Sequence, residues 1–415
     1  EFSCASTGGL DLDELAMLSW ALTAFKHEDA VMFVTASLRH WDLQSNRPAE
    51  VRCSPHSDYL IITAVAALSS RLKMPTLSFD WAATLGHMSA SLELYLARNQ
   101  QTQLNFVKLV DAFAVMGLNT PHSLLDLVAD ALEVKMAANG LSSSEVSLAA
   151  HAYAKLSVPA PALFSRIVDC VQNPMNSFEL SDLTRVLWSL VKTKNLVIAL
   201  PEDTFQIDEW KLRQLTPSEI SRLHLALCTL FSKQPVGTEA ELKRALLFVQ
   251  LLEKVHAELE LRLVSFSAAE LVDTSSSLLL LCRHDDPDSD FMKRDDVDAN
   301  RKWALLERVA EAAMSWTDKF TCRELAQLMR SFGSASLEGH KTDKTTDTMT
   351  ALNKVASKRL TELSSTREDV YLVGICYQWF EIYTNAQTSV PPGFGGGDIW
   401  SAIHRRFMGF TASVT

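Results

Sequence analysis

Lys155, Arg185, Lys192 and Arg222 stand at matching places in three successive stretches of the sequence, with His151 and Trp188 between them. Counted from Glu145, Asp182 and Glu219, the cations lie three or ten residues on and the rings six residues on. On an α-helix these offsets share one face about two turns long. Cations of this kind contact phosphates, and an exposed ring or guanidinium stacks on an unpaired base. The chemistry on offer is therefore single-stranded RNA binding along a basic, aromatic-bearing stripe. The bland alternative is a solvated charged face with Trp188 packed between helices.

Other chemistries lack the residues they need. Asp286-x-Asp288-x-Asp290 opens like a calcium loop, but Phe291 stands where the turn needs glycine and Val297 where the loop needs glutamate. PPGFGGGD, residues 391 to 398, has glycines but no Lys-Ser/Thr to complete a phosphate loop, and reads as a turn. The eleven histidines never form a His-x-x-x-His pair; His151, His224 and His256 fall in helical patterns, where a satisfied or surface histidine is the ordinary case. No nucleophile elbow or paired-carboxylate motif stands out. The sequence predicts no catalytic residue, no metal and no cofactor, hence a protein that is not an enzyme.

The elements that must carry the stripe are written twice in plain form. LSSSEVSLAAHAY, from Leu141, recurs as LTPSEISRLHLAL, from Leu215. Each is a hydrophobe, a polar cap, two free positions, an acid, and then apolar residues at helical spacing. The Ser/Thr-x-x-Glu box caps a helix start, and the apolar face that follows is to be buried. The template recurs at nine key positions, 14, 60, 108, 145, 182, 219, 270, 324 and 369, in weakened form at Leu60 and Lys108, where the acid is replaced. Three consecutive spacings are 37. The cap positions read Asp11, Ser57, Asn105, Ser142, Glu179, Thr216, Ser267, Thr321 and Thr366, and only Glu179 is a poor N-cap. Seven residues past each key position stands a small residue, from Ala21 to Cys376, followed in nearly every copy by a large one, so that neighbouring helices can interlock.

Second apolar stretches follow the copies at Pro121, Pro159, Glu241 and Arg301, and read as the second helix of each pair. The expected fold is all-α: an α-solenoid of about nine helix-turn-helix repeats with a period near 37, forming one array over residues 1–415. Residues 283–300 and 333–350 are expected as exposed loop insertions.

Composition agrees with a folded chain: 47% hydrophobic and 21% charged, with 14 glycines and 13 prolines. The formal charge of −11 excludes a bulk positive field, so contact with RNA must be local. Seven scattered cysteines without a Cys-x-x-Cys pair indicate neither a disulfide framework nor a zinc ribbon. The strongest apolar run, SSSLLLLC at 275–282, is far short of the roughly 18 to 20 residues that span a bilayer. No membrane insertion is expected, and the opening EFSCASTGG displays no targeting pattern.

A 37-residue two-helix unit, with Leu-Ser-Trp-Ala-Leu at 18–22 and Leu-Trp-Ser-Leu at 187–190 in its first helix, resembles the heptatricopeptide and octotricopeptide repeat proteins, relatives of organellar proteins that carry a C-terminal RAP domain. The resemblance implies a mitochondrial or plastid protein that binds organellar RNA, ribosomal RNA in particular, and scaffolds a ribonucleoprotein. A mitochondrial matrix location and a place in the mitochondrial ribosome are the expectations it carries. No RAP domain is recognisable in PPGFGGGDIWSAIHRRFMGF, so no nuclease activity is implied. The acidic charge keeps a competing expectation alive: a protein-binding scaffold in another mitochondrial assembly, such as a respiratory or ATP synthase complex.

Overall fold

The computed structural model describes residues 11–45, 54–71, 81–98, 104–117, 122–173, 177–194, 207–232, 239–282, 296–337, 340–362, 375–376 and 379. Among the described residues there are helices and turns and no strand. The chain divides into two compact units, Glu1–Pro201 and Glu202–Thr415. The single array expected over 1–415 is thus drawn as two bodies, each built the same way.

The first unit contains α1 (Leu12–Ala24), α2 (Ala30–Ser45), α3 (Pro55–Arg71), α4 (Trp81–Arg98), α5 (Phe106–Met116), α6 (His122–Ala137), α7 (Ser143–Leu156), α8 (Pro161–Gln172) and α9 (Leu180–Lys192). Odd-numbered helices pack on one another in succession, even-numbered helices do the same, and adjacent helices join the two rows. The second unit contains α10 (Glu209–Gln214), α11 (Pro217–Phe231), α12 (Glu239–Arg262), α13 (Ala268–Cys282), α14 (Asp296–Met314), α15 (Cys322–Leu337) and α16 (Asp343–Glu362). There α11, α13 and α15 form one row, and α12, α14 and α16 the other.

The helix starts are set by the caps. Asp11, Ser142 and Thr216 each accept the N–H of the acid three residues on, while that acid's carboxylate takes the cap residue's own N–H. Thr321 and Glu324 do the same, Glu270 accepts the Ser267 N–H at 2.7 Å, and Asn105 accepts from the Lys108 N–H. Glu179 makes no side-chain cap bond, as its type foretells. Behind the caps, the small-and-large pairs Ala152/Tyr153, Ser189/Leu190, Ala226/Leu227, Ser277/Leu278 and Ser331/Phe332 are all sealed from solvent. Tyr153, wholly buried, donates its hydroxyl to the Leu125 carbonyl at 2.6 Å and so ties α7 to α6.

Three expectations are corrected. Ser57 is not a cap: α3 begins at Pro55, the Ser54 hydroxyl accepts the Ser57 N–H at 3.2 Å, and the key position of this copy moves from 60 to 57. Proline at the first helical position draws the helix start upstream. Ala64 and Val65 then take the small and large places, both buried, while Ala67 is exposed. Residues 333–350 are not a loop insertion, because α15 runs on through Leu337 and α16 starts at Asp343. Serine, threonine and lysine made that segment read as loop, but Thr345, Thr348 and Met349 are buried in the packing of α16. Of the loop expected at 283–300, residues 296–300 begin α14; the rest, with Asp286, Asp288 and Asp290, lies outside the described residues. The ninth copy and residues 391–398 lie outside them too, except that Cys376 is buried and Gly333 leaves room for the Trp379 ring, which an added Cβ would approach to 2.6 Å.

No helix among the described residues is long and apolar enough to cross a membrane.

Candidate nucleic-acid interface

Five of the six stripe residues belong to the first unit, where α7 and α9 pack side by side; Arg222 is on α11 in the second. His151 on α7 and Trp188 on α9 come together as the register requires, with ring centroids 5.0 Å apart and planes tilted by 49°. Both rings are half-buried. Lys155 and Lys192 are exposed, each in the last turn of its helix, where a cation also complements the carbonyl end of the dipole. Arg185 and Arg222 are half-buried.

The stripe is not purely basic. Arg185 Nη1 lies 3.1 Å from Asp182 Oδ1, which also accepts the Ser147 hydroxyl of α7 at 2.8 Å. Asp182 holds the acid place of its capping box, but the cap there is Glu179, which offers no hydroxyl. Its shorter side chain turns away from its own helix start and bridges to α7. Asp111 on α5 brings a second acid: burial raises its carboxyl above the usual carboxylate range, while the charges of Lys155 and Arg185 pull it back. Sequence reading took Asp182 only as a capping acid and passed over Asp111, although one signal was present. Asp111 lies three residues beyond Lys108, the same register place that Arg185 and Arg222 occupy.

No family model matches this chain, and no curated protein does. The site therefore rests on its own geometry. Across α5, α7 and α9 it offers three cations against two acids, a pair of aromatic rings and two exposed ammonium groups. Such a surface can hold a few phosphates and present an aromatic edge to a base. Among the described residues there is no cluster of three or more histidine, cysteine, aspartate or glutamate side chains that could hold a metal ion.

Proposed function

We propose that this chain is a non-catalytic helical-repeat protein, an α-solenoid of about nine helix pairs with a period near 37, that binds RNA along α7 and α9 and scaffolds a ribonucleoprotein. The observation that carries the reading is the junction of these two helices: Lys155 and Lys192 exposed beside the His151 and Trp188 rings. Organellar ribosomal RNA as the ligand, the mitochondrial matrix as the place and the mitochondrial ribosome as the assembly rest on the resemblance to organellar repeat proteins.

Binding of a fluorescent single-stranded RNA of about 12 nucleotides, followed over a salt series, tests it. Lys155→Gln/Lys192→Gln weakens binding and lowers the slope of log affinity against log salt by about 0.7 per lost phosphate contact. Adding Arg222→Gln measures what the second unit contributes. Arg185 is left in place, because removing it strips the buried Asp182 of its cation. Unchanged affinity and slope would exclude the stripe. For the assembly, the protein should sediment with ribosomal RNA in a mild organelle lysate and leave that position after ribonuclease treatment.

A second reading, a scaffold in a respiratory or ATP synthase complex, draws support from the charge of −11 and from apolar side chains left bare on α1. Sedimentation in a large particle indifferent to ribonuclease would favour it.

A further inference from the structure

The acid three residues past the cap has one common use. Glu14, Glu145, Glu219, Glu270 and Glu324 each turn back and accept the N–H of their own cap residue. Asp182, at the same place in α9, turns its carboxylate elsewhere. Its Oδ1 lies 2.8 Å from the Ser147 hydroxyl on α7 and 3.1 Å from Arg185 Nη1 on its own helix. The Ser147 hydroxyl also stands 2.9 Å from the Ser144 carbonyl, but it has a single proton, and the carboxylate is the nearer and stronger acceptor. Ser147 is fully buried and the Asp182 side chain 9% exposed, whereas that of Arg185 is 33% exposed. The chain of bonds therefore runs from inside the α7–α9 packing outward to a guanidinium at the surface.

That guanidinium belongs to the candidate interface. Arg185 and Trp188 are three residues apart on one face of α9, and the Trp188 ring lies 5.0 Å from that of His151 on α7. The charge of Arg185 also acts on Asp111 of α5, the helix beyond α7, so the side chain leans across the junction. Gripping a phosphate orders an arginine side chain, which is among the larger side-chain entropy losses. A guanidinium already tied at Nη1 loses less, and its rigid planar fork matches two phosphate oxygens. As a bare charge Asp182 would work the other way, repelling the phosphate and offsetting Arg185.

We infer that Asp182 and Ser147 are positioning residues that hold Arg185 in place for one phosphodiester group of a single-stranded RNA, beside the Trp188 ring. The inference rests on the RNA reading and deepens it. It divides the work among the cations: Lys155 and Lys192 are point charges on flexible stems that attract the backbone, and Arg185 fixes where one phosphate sits. It also accounts for the one helix start whose cap residue makes no side-chain bond in the run from α7 to α11 with period 37. At 182 the shorter aspartate serves the neighbouring helix in place of its own start.

The sign of one substitution tests it, on the full chain with the same fluorescent 12-nucleotide RNA and salt series, each variant first shown by urea denaturation to be folded. Asp182→Asn removes a negative charge from the site and holds the guanidinium less firmly. Positioning requires it to weaken RNA binding, by about tenfold, whereas an acid that merely screens Arg185 requires it to tighten binding. Ser147→Ala changes no charge and should weaken binding at least about threefold with the salt slope unchanged. Arg185→Lys keeps the cation beside Asp182 but loses the fork, and should weaken binding about tenfold. Tighter binding by Asp182→Asn, or wild-type binding by Ser147→Ala or Arg185→Lys, overturns the inference. The RNA reading is judged separately by Lys155→Gln/Lys192→Gln. If that variant binds like the wild type, both fall; if it is weakened while Ser147→Ala is not, the positioning role alone falls.

Discussion

Asp58 on α3 is 1% exposed, and its Oδ1 accepts the indole N–H of Trp41 from α2 at 2.7 Å. Burial above all, with the charge of Asp13 in addition, raises its carboxyl from 3.8 to about 7, against the pull of Ser91 and Trp41 hydrogen bonds. The unfolded chain gives up this proton near 3.8 and the folded chain keeps it to about 7, so the folded state loses ground as pH climbs between those values and holds level above. Asp58→Asn keeps the acceptor for Trp41 and has no charge to bury. It should raise unfolding stability at pH 8 by on the order of 3 kcal/mol and remove the slope, which urea denaturation across pH 4.5–8 would read. His224 presents the opposite case. It is fully buried; its Nδ1 lies 2.7 Å from Ser277 Oγ and its Nε2 2.9 Å from His256 Nε2. Because the Ser277 hydroxyl donates to the Thr274 carbonyl, it accepts from His224 Nδ1–H, and His256 Nε2–H donates to His224 Nε2. Burial first, then His256, holds His224 well below the ordinary 6.5. The unfolded chain binds a proton at 6.5 that the folded chain refuses, so this stability is present above 6.5 and lost below it. The sequence left His224 as a satisfied or a surface histidine; it is the satisfied one, and its partners are 32 and 53 residues away, where no local pattern points to them.

Helix starts were the most legible feature, because capping is a local contract between residues three apart. Ser142 and Thr216 sit at φ −72°, ψ 160° and φ −69°, ψ 161°, and Glu179 at φ −66°, ψ 155° already has that backbone without the hydroxyl. Thr216→Ala should therefore cost about 1 kcal/mol, and Glu179→Ser should gain up to about that much, both measured from denaturation midpoints at constant slope. Ser54→Ala should destabilise α3 through its start, the place the sequence pattern gave to Ser57. That pattern missed Ser54 because two serines three residues apart fit the template equally well, and the proline between them decides. The candidate interface was legible by half for a related reason. Register along one helix put Lys155, Arg185, Lys192 and the two rings on one face. The acids that answer Arg185 and Lys155 act across helices: Asp111 on α5, and Asp182 turned toward Ser147 on α7. Whether a charge is answered by a neighbouring element is a tertiary fact, and spacing within one helix does not encode it.

At the scale of the molecule, the helical pairs were written in the sequence and the division into two units was not. The spacing from Asp182 to Glu219 is 37, as in the copies before it, so the register runs unbroken across the boundary at Pro201–Glu202. Among the described residues between α9 and α11 stands the six-residue α10, which packs on α12. Among their buried titratable groups, the two units hold a pair of opposite sense, Asp58 in the first and His224 in the second. The first keeps a proton on Asp58 that its unfolded form would release, and the second excludes a proton from His224 that its unfolded form would take up. If the units melt separately, calorimetry should resolve two transitions that respond to pH in opposite directions. Raising the pH from about 5 to about 7.5 should lower the midpoint of the first unit and raise that of the second. Asp58→Asn should flatten the pH response of one transition alone, and His224→Gln that of the other, at a cost of about 1–3 kcal/mol for the disrupted hydrogen bonds. A single transition that both substitutions move together would mean that the two units unfold as one cooperative body, and the compactness of each would then be geometric without being thermodynamic.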